Sequence, residues 1–286
     1  MNRRAFTLIE IMIGAAVSSI LAIAVFALMN AGMILSAKNL SLNLTSNSLR
    51  GALDRVEQVV QQADTMPQLI NSSGTIVAAG PAPGIVFDRA AGSPFVVTLT
   101  SGSVASSATS LTLTRSTNAV ASPPPPRAGD IVRISTTPNS LRPRVQSVVA
   151  GTVDAQLHQP FTVNLTAALG TTVTPTGGVS TAQLIRNVAF LVVSSNGNRE
   201  LRYYHTFDTA ASLNDTTKYV LVTDQIGSAP EDATPFSFVQ IESKSFVNVS
   251  LRVRASNYDQ GIRGRQNDQF NTYNRTEIQI RPKTLP

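Results

Sequence analysis

The chain contains no cysteine, no tryptophan and only two histidines, His158 and His205, among 286 residues. Without cysteine there is no disulfide framework, thiol nucleophile, iron–sulfur cluster or thiolate-ligated zinc. Two widely separated histidines argue against a histidine-built metal centre or a Ser-His-Asp triad. Charge is also scarce: Asp, Glu, Lys and Arg make up 14% of the residues, against about 25% in ordinary soluble domains. No Gly-rich phosphate loop or dinucleotide fingerprint occurs. Asn214-Asp215 and Glu231-Asp232 lack the run of several oxygen ligands that Ca²⁺ requires. Tyr203-Tyr204-His205 lies in a β-type run, where neighbouring side chains point to opposite faces, so the trio reads as core packing beside a polar residue. The expectation is therefore no catalytic residue, no metal and no cofactor, in a chain that is not an enzyme.

What is present is an unusual N-terminus. Arg3 and Arg4 are followed by Phe6-Thr7-Leu8-Ile9-Glu10 and then by an uncharged run from Ile11 to Ala37. About 20 apolar residues span a hydrocarbon core of ~30 Å, so the run is long enough for one membrane helix. Basic residues on its N-terminal side predict a cytoplasmic N-terminus and an exported remainder. Glu10 stands out, because a carboxylate at membrane depth costs about 2.5–3.5 kcal/mol and such residues carry a partner or a function. A helix N-terminus would offset part of that cost, and so would a nearby α-amine. Snorkelling of Glu10 to the interface is the plainer alternative.

The stretch Ala5-Phe6-Thr7-Leu8-Ile9-Glu10-Ile11-Met12-Ile13-Gly14 resembles the N-terminal signature of type IV pilins and type II secretion pseudopilins. That resemblance implies a leader, residues 1–5, removed between Ala5 and Phe6 by a prepilin peptidase. It also implies N-methylation of Phe6 and a role for Glu10 in assembly, paired with a neighbouring subunit's N-terminus. The sequence has Ala5 where the family usually has Gly, and it lacks the mid-helix proline of major pilins, its first proline being Pro67. Rival readings of the segment are a Sec signal with an A-x-A site at Ala22-Ile23-Ala24, a twin-arginine signal at Arg3-Arg4, and a plain signal anchor. Glu10 interrupts the first, the run is long for the second, and the third leaves Glu10 unexplained.

The helix is expected to continue past the membrane. Leu42, Leu49, Val56 and Ala63 recur every seven residues, with Leu53 and Val60 at the i+4 positions, which makes one apolar stripe. The predicted helix covers residues 6–66, with 6–35 transmembrane and 36–66 amphipathic, ending at Met66-Pro67. Its outer half must lie against the chain's own head or form a dimeric coiled coil, for which three heptads containing Gly51 are poor material.

From Thr75 onward, within a head expected to span residues 67–286, short β-branched runs between Gly, Pro, Ser and Asn predict antiparallel strands. Expected strands include Gly84–Asp88, Phe95–Thr100, Ser110–Arg115, Asp130–Ser135, Arg144–Val149, Thr152–Leu157 and Thr162–Leu165. Later ones are Ile185–Ser194, Glu200–Thr206, Tyr219–Asp224, Phe236–Ser243, Ser245–Ala255 and Arg275–Pro282. Asn196-Gly197 is a hairpin signal. Ser122–Pro126 reads as a polyproline linker and Thr171–Ser180 as a flexible loop, bracketing a candidate second sheet or insertion at about 75–180. The fold class is α+β, a long N-terminal helix packed on antiparallel sheets. Glu200–Tyr204, Leu221–Ile226, Val247–Arg254 and Tyr273–Pro282 are similar to the layout of large minor pilins and J-type pseudopilins.

Basic residues gather near the C-terminus, and Arg252, Arg254, Arg263 and Arg265 are candidate nucleic-acid contacts through phosphate attraction. A solvated β edge kept from aggregation by positive charge explains them more simply. The expected protein is a minor pilin or pseudopilin. Its expected partners are other pilins, the prepilin peptidase, an inner-membrane assembly platform and, before assembly, lipid. The expected location is the inner membrane, with the head in the periplasm, and then a filament. The alternative is a single-pass envelope binding module or enzyme held by an uncleaved anchor.

Overall fold

The computed structural model describes residues 8–98, 103–117, 123–135, 140–174, 180–195, 198–207, 213–227, 229–241, 244–254 and 273–280. Helix α1 runs from Leu8 to Val60, about 80 Å at 1.5 Å per residue. It stops before the expected boundary at Met66. Gln61 N–H still donates to Glu57 O, but Gln62 and Ala63 donate to Val59 and Val60, three residues back. Ala63 then pairs with Arg89, and Asp64 N–H donates to Asp88 O at 2.7 Å. Pairing with a strand that lies far ahead in sequence captures these residues before proline can end the helix.

The strands that follow are β1 (Gln68–Ile70), β2 (Ile76–Val77), β3 (Gly84–Ala90), β4 (Phe95–Thr98), β5 (Ser110–Ser116), β6 (Ile131–Ser135), β7 (Ser140–Leu141), β8 (Val145–Ala150) and β9 (His158–Leu165). They continue with β10 (Ser180–Ser195), β11 (Asn198–Tyr204), β12 (Tyr219–Ile226), β13 (Phe236–Ile241), β14 (Lys244–Arg254) and β15 (Tyr273–Ile280), with a 3-10 turn at Pro230–Ala233. Among the described residues all strand pairings are antiparallel and form one continuous curled network. The fold is α+β, as the sequence pattern predicts.

β10 is the spine. Its residues 189–191 pair with β3 on one edge and with β11 on the other, while Ala182 lies between Phe95 of β4 and Ile134 of β6. Along the C-terminal half of β10, the sheet β3-β10-β11-β12 together with β13, β14 and β15 lies against α1. This half encloses Leu49, Ala52, Leu53, Val56, Val59, Val60 and Ala63 with Phe190, Leu201, Tyr203, Phe236 and the inward residues of β14. The heptad stripe therefore docks on the chain's own head. Leu42 is the exception: it stays exposed. Ser48 faces Thr223, and the Arg55 guanidinium sits 5.3 Å from the Tyr203 ring centre. On the opposite face of the sheet, Tyr204 packs with Ile70, Leu191 and Phe207. Tyr203 and Tyr204 thus point to opposite cores, as strand alternation requires.

Along the N-terminal half of β10 the strands close on themselves. The order β10-β4-β5-β9-β8 returns to β6 through Val145 N–H to Asp130 O and Val132 N–H to Pro143 O, and β6 pairs again with β10. Inside lie Phe95, Leu113, Phe161, Val163, Val132, Ile134 and Leu184, with Phe95 and Phe161 edge to face at 6.2 Å. This barrel core shares no residue with the helix-packed core or with the core around Tyr204. The segment expected as a second sheet or insertion is joined to the rest through β10 within one hydrogen-bonded network. Because Ala63 bridges Arg89, and Arg89 pairs with Arg186 of β10, residues 180–185 and the barrel around them lie beyond the C-terminal end of α1.

Three further expectations are corrected. Residues 152–157 form a loop, because the Asp154 carboxylate accepts the N–H groups of Gln156 and His158 and Leu157 takes a left-handed φ of 61°. Pro123–Pro126 forms a packed strap, with Pro123 and Pro126 buried. Arg115 donates to Pro123 O and Arg186 to Pro125 O, each at 2.7 Å. Within the expected flexible loop, Val173 is buried and bridges Val104. Residues 122 and 175–179 of those two segments lie outside the described residues, as do Asn196 and Gly197 of the expected hairpin; Ser195 pairs with Asn198 on either side of them.

Candidate functional site

A helix made of Leu, Ile, Ala and Met residues without proline forms readily, but in water it needs a packed face to persist. α1 has such a face only in its second half. From Leu8 to Leu44 every large apolar side chain is exposed, Phe26 at 72% and Leu28 at 73%, and burial begins at Thr45. Thr45 is fully enclosed and donates its hydroxyl to Ser41 O at 2.8 Å, while Ser19 donates to Ala15 O at 2.8 Å. Hydroxyls bonded to the preceding turn place no unpaired polar group on an apolar surface. The bare portion is about 56 Å long. Among the described residues it holds the one helix long and apolar enough to cross a membrane.

Glu10 lies in the first described turn of this helix, on its exposed surface. The predicted cleavage pair Ala5 and Phe6 lies outside the described residues, as do Arg3 and Arg4.

The candidate nucleic-acid residues do not assemble into a described cationic face. Arg252 Nη1 is 3.8 Å from both Glu231 Oε1 and Asp232 Oδ2, so carboxylates reduce its attraction for phosphate. The Arg254 side chain, Arg263 and Arg265 lie outside the described residues. Asp232 also accepts from Ala229 N–H, and Asp215 Oδ1 accepts the Thr217 N–H and hydroxyl, so two of the three carboxylates that sequence spacing considered for Ca²⁺ hold turns together.

Sequence reasoning missed a charged joint between the two halves of the head. Asp64, just past α1, accepts from Arg133 of β6 and, at 3.0 Å, from Arg142. Asp88 of β3 lies 3.4 Å from Arg142. Burial raises the Asp88 pKa above its ordinary value despite the pull of Arg142. Closer to the spine, Arg186 grips Asp130 with bonds of 2.9 and 3.2 Å, and the Asp130 carboxylate is fully enclosed. Burial raises this pKa too, against the hydrogen bonds and charge of Arg186. No local sequence pattern marks these partners, which lie up to 78 residues apart in the chain.

Comparison with known families matches the prokaryotic N-terminal methylation motif to residues 1–26. No curated protein and no solved structure matches the chain. The matched residues that are described, Leu8 to Phe26, all lie on the bare part of α1. A methylation motif followed by an exposed apolar helix is consistent with membrane anchoring and points to a structural subunit. The chain therefore carries the prepilin-type processing and methylation segment of the type IV pilin and pseudopilin family.

Proposed function

We propose that the protein is a minor pilin or pseudopilin, a structural subunit of a type IV pilus or a type II secretion pseudopilus. The observation that carries this reading is the length of the bare apolar surface. The exposed helix from Leu8 to Leu44 extends about 56 Å, and its part from Leu8 to Ala37, uncharged apart from Glu10, about 45 Å, well beyond a hydrocarbon core of ~30 Å. Leu40, Leu42 and Leu44 remain exposed beyond the predicted span. A simple anchor needs no such surplus, whereas a helix that leaves the bilayer to bundle with others does.

In this reading prepilin peptidase cuts between Ala5 and Phe6 at the cytoplasmic face, and Phe6 is N-methylated. Lipid covers the helix until the assembly platform extracts it. Glu10 then pairs with the Phe6 amine of an adjacent subunit and sets the axial register. Such a pair neutralises two charges that the apolar filament core would otherwise expel. The head stays in the periplasm or on the filament surface and performs no catalysis.

The test combines N-terminal mass spectrometry with recovery of Glu10→Ala in sheared filaments. A methylated Phe6 start, and at least a tenfold loss of the variant from filaments with normal membrane levels, are expected. An intact Met1, or a start beyond Ala24, would favour the uncleaved-anchor module instead. Wild-type incorporation of Glu10→Ala would remove the register role.

A further inference from the structure

The helix-packed core and the barrel core of the head meet at a joint with two unlike ties. One is buried and lies on the spine itself: Arg186 of β10 holds Asp130 at the entry to β6 and Pro125 in the strap. Side-chain exposure there is 11% for Arg186 and 0% for Asp130, so salt cannot screen it effectively. The other tie is at the rim, where the end of α1 faces the barrel. Asp64 and Asp88 come from the helix-packed half, and Arg133 and Arg142 from the barrel. The arginines keep 34% and 37% of their side-chain surface exposed, which leaves this tie open to screening. The two cores share no residue, the ion pairs of Asp64 and Asp88 with Arg133 and Arg142 tie their halves at the rim, and the backbone crosses the joint along β10 and residues 91–94.

We propose that the rim cluster Asp64, Asp88, Arg133 and Arg142 is an electrostatic latch that fixes the tilt of the barrel on the end of α1, with Arg186 and Asp130 as its pivot. When the latch opens, the barrel swings about β10 while both cores and the pivot stay intact. Closed, it makes the barrel a rigid extension of the helix. The groups facing Asp88 are Arg142, Arg144 and Asp64, and Arg133 faces Asp64. Burial raises the Asp88 pKa above its ordinary value, so on acidification it is neutralised before an ordinary Asp and the closed state weakens.

The absence of cysteine allows clean spin labelling of the full chain in detergent micelles. Labels at Gln58→Cys on α1 and Ser147→Cys on β8 report the helix-to-barrel distance by pulsed electron resonance. In low salt one narrow distribution is expected. In about 1 M NaCl, where the screening length falls to ~3 Å, the distribution should broaden or gain a second population. Arg142→Ala should do the same in low salt, and Arg50→Ala, an exposed charge on α1, should not. Far-ultraviolet circular dichroism should be unchanged throughout. A distribution unmoved by both salt and Arg142→Ala would overturn the latch and leave the tilt to β10 alone. The salt arm needs no substitution at the joint, so the test survives a variant that fails to fold.

Discussion

The two halves of α1 are one continuous helix with opposite relations to the rest of the molecule. Residues from Thr45 to Val60 alternate between exposed polar positions and fully enclosed ones such as Leu49, Val56 and Val60, and they form part of the head's core. Residues from Leu8 to Leu35 are apolar nearly all round, and no residue from Leu8 to Leu44 belongs to that core. A helix with a polar back needs one partner surface, while a helix apolar all round needs to be surrounded. The first half therefore looks to lipid or to other helices, and the second half is already satisfied.

That contrast predicts unequal responses to the same substitution. Val56→Asp places an unpaired charge in the core and should cost about 4 kcal/mol or more, unfolding the head by circular dichroism. Ile20→Asp should leave the thermal midpoint of the head unchanged while reducing membrane partitioning, by about 3 kcal/mol. Equal loss of head structure in both variants would show that the halves are not independent.

Within the head, the barrel is the sharper probe of its joint. Asp130→Ala leaves Arg186 charged and nearly enclosed, and should destabilise the protein by about 3 kcal/mol. The double variant Asp130→Leu with Arg186→Met should recover part of that loss, since removing both charges avoids the uncompensated one. Thermal melts of the single and double variants give the coupling directly.

Gly84 tests how closely the helix-packed half is built. A Cβ there would meet Phe190 O at 2.5 Å and Leu191 Cδ1 at 2.7 Å, in a strand already flanked by β1 and β10. Backbone cannot yield as a flexible side chain does, so Gly84→Ala should cost about 2 kcal/mol. Gly51→Ala, with nothing within 4 Å, should stabilise by up to about 1 kcal/mol through helix propensity. A comparable loss at both positions would argue that the Gly84 contact is not a constraint.

The legible parts of this protein were those with a local signal. Glu10 in an uncharged run, the seven-residue spacing from Leu49 to Ala63 and the alternating strands each show within a window of a dozen residues. What could not be read depends on partners far apart in sequence. The helix ends at Val60 because Ala63 and Asp64 pair with Arg89 and Asp88, and nothing near Met66 announces this. The barrel closes because Asp130 meets Val145 and Ser180 meets Val97, a topology that short strands permit but do not specify. Pro123–Pro126 has the composition of a linker, and only the arginines that bond its carbonyls turn it into a strap. Asp154 did carry a local signal, since a carboxylate two and four residues before free N–H groups favours a turn over a strand.

The smallest effect on stability falls where the two halves of α1 meet, and it separates a surface that serves the fold from one that serves assembly. Leu42 and Leu44 are 39% and 45% exposed, just ahead of the enclosed Thr45. Replacing both with Ser removes little buried area, so the head should melt within about 0.5 kcal/mol of wild type. Membrane insertion should also be retained, because both residues lie beyond the predicted span. If other subunits cover this stretch in the filament, recovery in sheared filaments should nevertheless fall several-fold, since each apolar side chain brought into such an interface contributes about 1–2 kcal/mol. A drop in the melt would assign Leu42 and Leu44 to the head. Unchanged stability together with unchanged incorporation would show that the surplus apolar length beyond the bilayer is not an assembly surface, and would leave Glu10 and the membrane-spanning part of the helix to account for assembly.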